Sequence, residues 1–192
     1  FWEMLVQKVC AMTDVPADRW DIDKYFAEDF ASPGKMNNRL AGFLKHIDQF
    51  DPAFFDIPAR EAAQMDPQQR LALEVAFEAL ENAGLSHERL RGSQTGVFIS
   101  SIHNDYSHLV YANLDRIDLR TLTGTLHSIT SNRISYLLDL RGPSITVDTA
   151  CSSSLVALHL ACQSLRNRDS DICLAGGVSA IVTPGVNVAL SK

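Results

Sequence analysis

Cys151 is the residue best suited to covalent chemistry, because an extended segment changes into a helical one at that position. β-Branched residues favour a strand over residues 144–148, and the apolar run at residues 155–165 favours a helix buried on nearly every side. The serines at positions 152–154 are expected to satisfy the first amides of this helix. The positive end of a helix stabilises a thiolate, so Cys151 is a candidate nucleophile. The alternative role is a small buried apolar side chain.

The polar stretch His103–His108 holds two histidines and an aspartate, which raises the question of a metal site. Its spacing matches no known ligand pattern, so we predict no metal and a loop that borders a cleft. His159 follows Cys151 by two helical turns and is expected to lie beside the core, outside the site. Gly34 and Gly176–Gly177 lack the surroundings of phosphate and dinucleotide loops, so no directly bound cofactor is predicted.

Composition limits the partners and the compartment. The formal net charge of −6 is opposite to that of a nucleic-acid-binding surface, so no nucleic acid is predicted. No apolar run reaches the roughly 18 residues of a membrane-spanning helix, and the first residues do not resemble a signal peptide. The four cysteines form no C-x-x-C pair and no disulfide spacing, so we predict a cytoplasmic setting with Cys162 and Cys173 as core thiols.

The elements around Cys151 form a strand–helix–strand unit. A second strand is predicted over Ile172–Ala175, which makes a right-handed crossover between parallel strands. Cys151 would then lie at the carboxyl end of its strand, the edge where open α/β sheets place ligands. Thr95–Ser100 is predicted as a further strand. The pattern indicates an α/β fold.

Upstream, the clearest helix start is Asp66, a predicted cap, with Pro67 at the first helical position. This helix should run to about Asn82 and stop at Gly84. The three phenylalanines in residues 50–57 predict an apolar anchor.

The first residues are predicted to form an uncapped helix, which suggests that the sequence is a fragment. Its apolar face comprises Phe1, Trp2, Leu5, Val6 and Val9. Residues 13–38 are predicted to form a long surface connection. The aromatic residues expected to hold this connection to the protein are Trp20, Tyr25, Phe26 and Phe30.

The stretch from Val147 to Leu155, VDTACSSSL, resembles the active-site signature of β-ketoacyl synthase domains, particularly those of modular polyketide synthases and multifunctional fatty acid synthases. The resemblance runs from Phe1 to Lys192. Its main matches are Asp66–Arg70, Thr95–Phe98, Arg141–Ser154 and Ala175–Val178. Asp56 and Asn132 depart from it, since glycine or asparagine is frequent in the family at position 56 and glycine at position 132.

The resemblance implies a thiolase-like layered α/β architecture, usually a homodimer, with residues 122–138 approaching the dimer partner. It implies an acyltransferase in which Cys151 takes up an acyl chain from the phosphopantetheine arm of an acyl carrier protein. A decarboxylative Claisen condensation with a malonyl-type extender follows. The backbone amide of Cys151 resembles one oxyanion donor. The implied partners are the carrier protein, a second copy and adjoining synthase domains, with no membrane.

Two histidine motifs that assist decarboxylation in the family, His-Gly-Thr-Gly-Thr and Asn-x-Gly-His, do not occur in this sequence. We therefore expect residues 1–192 to be a partial N-terminal region, lacking the first strand and the C-terminal half. The parent domain is expected to condense, and the fragment alone to be inactive. The alternative function is a non-condensing synthase domain that binds carrier protein or scaffolds a dimer.

Overall fold

The structure, a computed structural model, describes residues 2–29 and 31–192. Its helices are α1 (Trp2–Val6), α2 (Ile22–Tyr25), α3 (Ala59–Ala62), α4 (Pro67–Asn82), α5 (His87–Leu90), α6 (Asp105–Val110), α7 (Leu119–Thr125), α8 (Ser128–Leu137), α9 (Ser153–Asn167) and α10 (Gly185–Leu190), with a 3-10 turn at Leu114–Arg116. Its strands are β1 (Thr13–Asp14), β2 (Leu40–Ala41), β3 (Thr95–Ser100), β4 (Ser144–Val147) and β5 (Ile172–Gly177). The larger of two compact units is Ile47–Ala180, and the smaller combines residues up to His46 with Ile181–Lys192.

The larger unit is built on a parallel sheet with the strand order β4-β3-β5. The predicted strand at Thr95–Ser100 is confirmed at those bounds, and the two others are confirmed within two residues. The strands that α9 connects, β4 and β5, are parallel as predicted, with β3 between them. Their register brings Val147 and Gly177 level with Ser100, so all three strands end at one edge.

Alternating side chains of β3 build a core on each face of the sheet, because successive residues of a strand point to opposite sides. Val97 and Ile99 belong to a cluster that includes Leu73 of α4 and Ile134 of α8. Phe98 packs on the other face in a cluster with small residues of α9. The larger unit is therefore a layered α/β structure, as expected.

Helix α4 begins and ends where the sequence predicts. The Asp66 carboxylate accepts a hydrogen bond from the Gln68 amide at 2.8 Å, Pro67 is the first residue, and Asn82 is the last. Gly84 follows with φ 68°, a left-handed conformation that glycine adopts without steric cost. The prediction of an apolar anchor ahead of this helix is also supported, since the Phe50 and Phe55 rings stack with centroids 5.4 Å apart.

Asp56 stands in the left-handed region with φ 52°, a conformation that glycine adopts most easily and aspartate tolerates better than most residues. Although the residue is aspartate and not the family's frequent glycine or asparagine, its backbone conformation is one that glycine favours. The backbone amide of Asp56 still closes a turn on the Ala53 carbonyl at 3.2 Å.

The smaller unit confirms a short opening helix, α1, whose apolar residues are all exposed, Trp2 by 75%. Most of the predicted connection is irregular, but it contains β1, which pairs with β2, and α2. Trp20 is buried in a cluster with Val15 and Met36. The expectations for Phe1 and Phe30 lie outside the described residues.

Three expectations are wrong. Residues 105–110 form α6 instead of a loop, held partly by the Tyr106 hydroxyl, which donates to the Ala63 carbonyl at 2.7 Å. Helix α9 is buried only along the narrow side that packs on the sheet, and His159 is exposed. Within residues 2–29 and 31–192, no helix is both long enough and apolar enough to cross a bilayer.

Candidate functional site

Cys151 lies in the turn that joins the end of β4 at Val147 to the start of α9 at Ser153. The residue before it, Ala150, has φ 54°, in the left-handed region. That conformation costs a residue with a Cβ roughly 1–2 kcal/mol, so neighbouring contacts must hold it. The predicted change from strand to helix is confirmed, and the helix starts two residues after Cys151.

The hydroxyls around this turn bond backward into it. The Thr149 amide donates to the Ser153 hydroxyl at 2.8 Å, and that hydroxyl donates to the Ala150 carbonyl at 2.6 Å. The Ser152 hydroxyl donates to the Thr149 carbonyl at 2.8 Å, and the Ala150 amide donates to the Asp148 carboxylate at 3.0 Å. The expectation that serines would accept from helix amides is wrong, since Ser152 is the cap and makes no side-chain cap bond.

The four cysteines differ in exposure. Cys151 and Cys10 are exposed, whereas Cys162 and Cys173 are half-buried. Cys173 packs against the core beneath α9, and its thiol donates to the Ala161 carbonyl at 3.6 Å. The prediction of a core thiol is supported for Cys173, whereas Cys162 is half-buried and joins none of the core clusters of the described residues. The buried apolar role is wrong for Cys151, which is exposed to solvent.

The start of α9 lies beside the ends of all three sheet strands. Gly177, the last residue of β5, approaches so closely that a Cβ there would overlap the Ser100 hydroxyl and lie 3.4 Å from the Ser154 Cβ. Ser100 is the last residue of β3 and is buried. The predicted position of Cys151 at the carboxyl edge of the sheet is confirmed. The Ser100 hydroxyl leaves no room for a side chain at Gly177.

A second polar group surrounds the start of α4. The Gln68 side-chain amide donates to the His103 carbonyl at 2.7 Å, and its oxygen accepts from the Ala180 amide at 3.3 Å. Burial raises the pKa of the Asp66 carboxyl, although hydrogen bonds from Gln68 and the charges of His127 and Arg70 oppose this shift. These side chains bond to one another and to the backbone, so they support the fold.

Sequence reasoning missed two features of the turn. It did not predict the left-handed conformation of Ala150 or the bridging hydroxyl of Ser153. The signal available in the sequence was Asp148 together with a serine that follows the turn, because an aspartate side chain often bonds to the backbone two residues later.

Among the described residues, His103 and His108 belong to no group of three possible metal ligands.

Comparison with known proteins assigns the family. The family model described as "Beta-ketoacyl synthase, N-terminal domain" matches residues 1–192. One polypeptide of the phenolphthiocerol/phthiocerol polyketide synthase of Mycobacterium tuberculosis is 51% identical over 191 residues, which are 100% of this chain and 12% of that protein. Another polypeptide of the same synthase is 48% identical over 192 residues, again 100% of this chain and 10% of that protein. The chain therefore spans about a tenth of the length of these relatives.

Solved structures agree. The oxazolomycin ketosynthase domain OzmH KS7 of Streptomyces albus has a TM-score of 0.92 and 38% identity, with 100% of this chain and 34% of that chain covered. The ketosynthase from module 6 of the bacillaene synthase of Bacillus subtilis has a TM-score of 0.84 and 38% identity, with 98% and 30% covered. The expected thiolase-like α/β fold is confirmed. With the parallel sheet and the signature turn, these matches show that the chain belongs to the β-ketoacyl synthase family and is similar to ketosynthase domains of polyketide synthases.

Proposed function

We propose that Cys151 is the nucleophile of a ketosynthase that joins an acyl chain to a malonyl-type extender by decarboxylative Claisen condensation. The observation that carries this proposal is the exposed Cys151 at the start of α9, beside the carboxyl edge of the sheet. The first turn of a helix stabilises a thiolate through its unpaired amides and its dipole. The family assignment supplies the reaction class.

In the acylation step, the Cys151 thiolate attacks the carbonyl carbon of an acyl thioester on the phosphopantetheine arm of an acyl carrier protein. A carbon–sulfur bond forms and the carbonyl electrons move onto oxygen. The Cys151 backbone amide is the proposed donor to this oxyanion. When the tetrahedral species collapses, the phosphopantetheine sulfur leaves as a thiolate and takes up a proton, so the acyl group remains on Cys151.

In the condensation step, a malonyl-type thioester loses its carboxylate as carbon dioxide. The electron pair of the broken carbon–carbon bond becomes a carbanion next to the remaining thioester. This carbanion attacks the carbonyl carbon of acyl-Cys151, forms the new carbon–carbon bond and releases the Cys151 thiolate. The product is a β-ketoacyl thioester on the carrier.

We further propose that residues 1–192 accept acyl groups but do not condense, because both decarboxylation histidine motifs are absent from this sequence. His127 and His159 belong to neither motif. The proton-handling groups would come from further parts of the same ketosynthase domain. The relatives are polyketide synthase polypeptides much longer than this chain, which favours adjoining domains as partners. A homodimer is proposed from the family resemblance, and a cytoplasmic setting is proposed from the absence of disulfide spacing among the four cysteines.

The acylation proposal is tested with hexanoyl-N-acetylcysteamine, a thioester that mimics the end of the phosphopantetheine arm. Peptide mass spectrometry after incubation is expected to place the hexanoyl group on Cys151. Cys151→Ala should abolish this label, and the control Cys162→Ala should retain it. Labelling spread over several cysteines, or absent from Cys151, would overturn the proposal.

Malonyl-N-acetylcysteamine added to the acylated chain tests the second statement. We expect stable acyl-Cys151 and no ketide. Detectable β-ketoacyl product would contradict the proposal that these 192 residues do not condense. In a longer protein that carries both histidine motifs, acylation without condensation would instead favour an acyl-binding scaffold.

A further inference from the structure

The turn before Cys151 holds an alanine in a conformation that alanine avoids when left free. Ala150 has φ 54°, and the residue is exposed, so core packing does not impose this angle. A left-handed residue directly before the nucleophile fixes the direction in which the chain enters Cys151. Whatever holds Ala150 therefore also orients the thiol.

Ser153 makes the contacts that hold the Ala150 carbonyl, while the Ala150 amide donates to the Asp148 carboxylate at 3.0 Å. The Ser153 hydroxyl accepts a hydrogen bond from the Thr149 amide at 2.8 Å and donates one to the Ala150 carbonyl at 2.6 Å. Its backbone amide donates to the same carbonyl at 3.0 Å. One side chain thus connects the backbone on both sides of Ala150 to the first residue of α9.

Ser153 differs from the serines on either side of it in burial. Its exposed fraction is 1%, whereas Ser152 and Ser154 are exposed. A buried hydroxyl strongly favours keeping its hydrogen bonds, because water cannot replace them. The two hydrogen bonds of the Ser153 hydroxyl are therefore expected to persist, whereas water can replace those of the exposed serines.

We propose that Ser153 is a positioning residue for Cys151: its hydroxyl holds Ala150 in the left-handed conformation and so fixes the thiol at the start of α9. This inference rests on the proposed function of Cys151. The Ser153 hydroxyl bonds to the Thr149 amide and the Ala150 carbonyl, so it acts on Cys151 through the backbone of the turn. Without its hydroxyl, the Thr149 amide loses an acceptor and Ala150 can return to a negative φ, which moves Cys151 away from the helix start.

The test compares Ser153→Ala with Ser154→Ala, a control that removes the hydroxyl of the adjacent, exposed serine. The readout is the rate of hexanoyl transfer from hexanoyl-N-acetylcysteamine to Cys151, with iodoacetamide labelling of Cys162 and Cys173 measured in parallel. Ser153→Ala should slow acylation of Cys151 by roughly 10-fold to 100-fold. Ser154→Ala should leave that rate within about threefold, and labelling of Cys162 and Cys173 should not change in either variant.

A second pair of variants tests the mechanism of positioning. Glycine adopts the left-handed region freely, so Ala150→Gly should make the Ser153 hydroxyl largely dispensable. In the Ala150→Gly background, Ser153→Ala should slow the acylation of Cys151 by no more than about threefold. If Ser153→Ala alone unfolds, which faster labelling of Cys162 and Cys173 would reveal, the double variant should still fold and acylate.

Three results would overturn the inference: an unchanged rate in Ser153→Ala, an equal loss with and without Ala150→Gly, or a double variant that does not fold. Failure of the proposed function looks different. In that case the parent chain itself shows no preferential acylation of Cys151, before any serine is changed.

Discussion

Helices α4 and α9 both begin with polar residues, but the first turn of α4 is sealed inside the larger unit whereas that of α9 opens to solvent. Residues 67–70 of α4 are all buried, and the Asp66 cap accepts from the Gln68 amide. Before α9, Cys151 and Ser152 are exposed, whereas Ser153, the first residue of the helix, is buried. A helix start has the same unpaired amides in both places. The two helix starts therefore differ in solvent access, and only an exposed start can be reached by a substrate.

The two helices also bury different side chains. Leu73 of α4 is fully buried in the main core, with 0% exposure. Helix α9 packs on the sheet through Ala157 and Ala161, while its Leu158 is 51% exposed. Small residues let α9 lie close to the strands, and this closeness brings its first turn to their carboxyl ends.

The largest effect on stability is expected from truncating a buried leucine of α4, compared with the same change to an exposed leucine of α9. Leu73→Ala removes a buried side chain and leaves a cavity, so it should lower the free energy of unfolding by about 3 kcal/mol. Leu158→Ala, the matched substitution on α9, should lower it by about 0.5 kcal/mol or less, because Leu158 is half exposed. Urea unfolding of the two variants measures both. Similar losses would mean that the Leu158 side chain is buried in solution.

A smaller effect is expected from the sealed cap of α4. Burial raises the pKa of Asp66 above its ordinary value of 3.8, so the folded state binds the proton more readily than the unfolded state. The stability contributed by this group is complete below pH 3.8 and is lost as pH rises through the folded-state pKa. Asparagine keeps an acceptor for the Gln68 amide without a charge. Asp66→Asn should therefore be more stable at neutral pH, by no more than about 1 kcal/mol.

Urea unfolding across acidic and neutral pH checks the sign of this effect. The advantage of Asp66→Asn should shrink as the pH falls and disappear below the ordinary carboxyl value of 3.8. Asp66→Ala serves as the control, because it removes both the charge and the acceptor and should be less stable than the parent. An Asp66→Asn advantage that grows toward low pH would contradict the account.

Local signals predicted much of this structure. Asp66 and Pro67 mark the start of α4, and the β-branched residues before Cys151 mark β4, because each depends on neighbours close in sequence. The location of Cys151 at the carboxyl edge followed from the order of strand, helix and strand. The reaction class came from family resemblance, since an isolated cysteine before a helix has several ordinary roles.

The sequence could not predict which faces of a helix are buried or which side chains fix the turn before Cys151. The leucines of α9 suggested burial on nearly every side, but the described sheet contacts only one side of that helix. The conformation of Ala150 was equally hidden, because it depends on the Ser153 hydroxyl three residues later and on the burial of that hydroxyl. These features depend on three-dimensional packing.

The most direct test of the claim that α9 activates Cys151 is competitive alkylation of the folded chain at neutral pH. Cys10 is the matched comparison, because it is exposed but does not stand at a helix start. Limiting iodoacetamide, with each cysteine quantified by peptide mass spectrometry, should label Cys151 at least about threefold faster than Cys10 and faster still than Cys162 and Cys173. Equal rates for Cys151 and Cys10 would show that exposure alone sets the reactivity of Cys151, and would contradict the account.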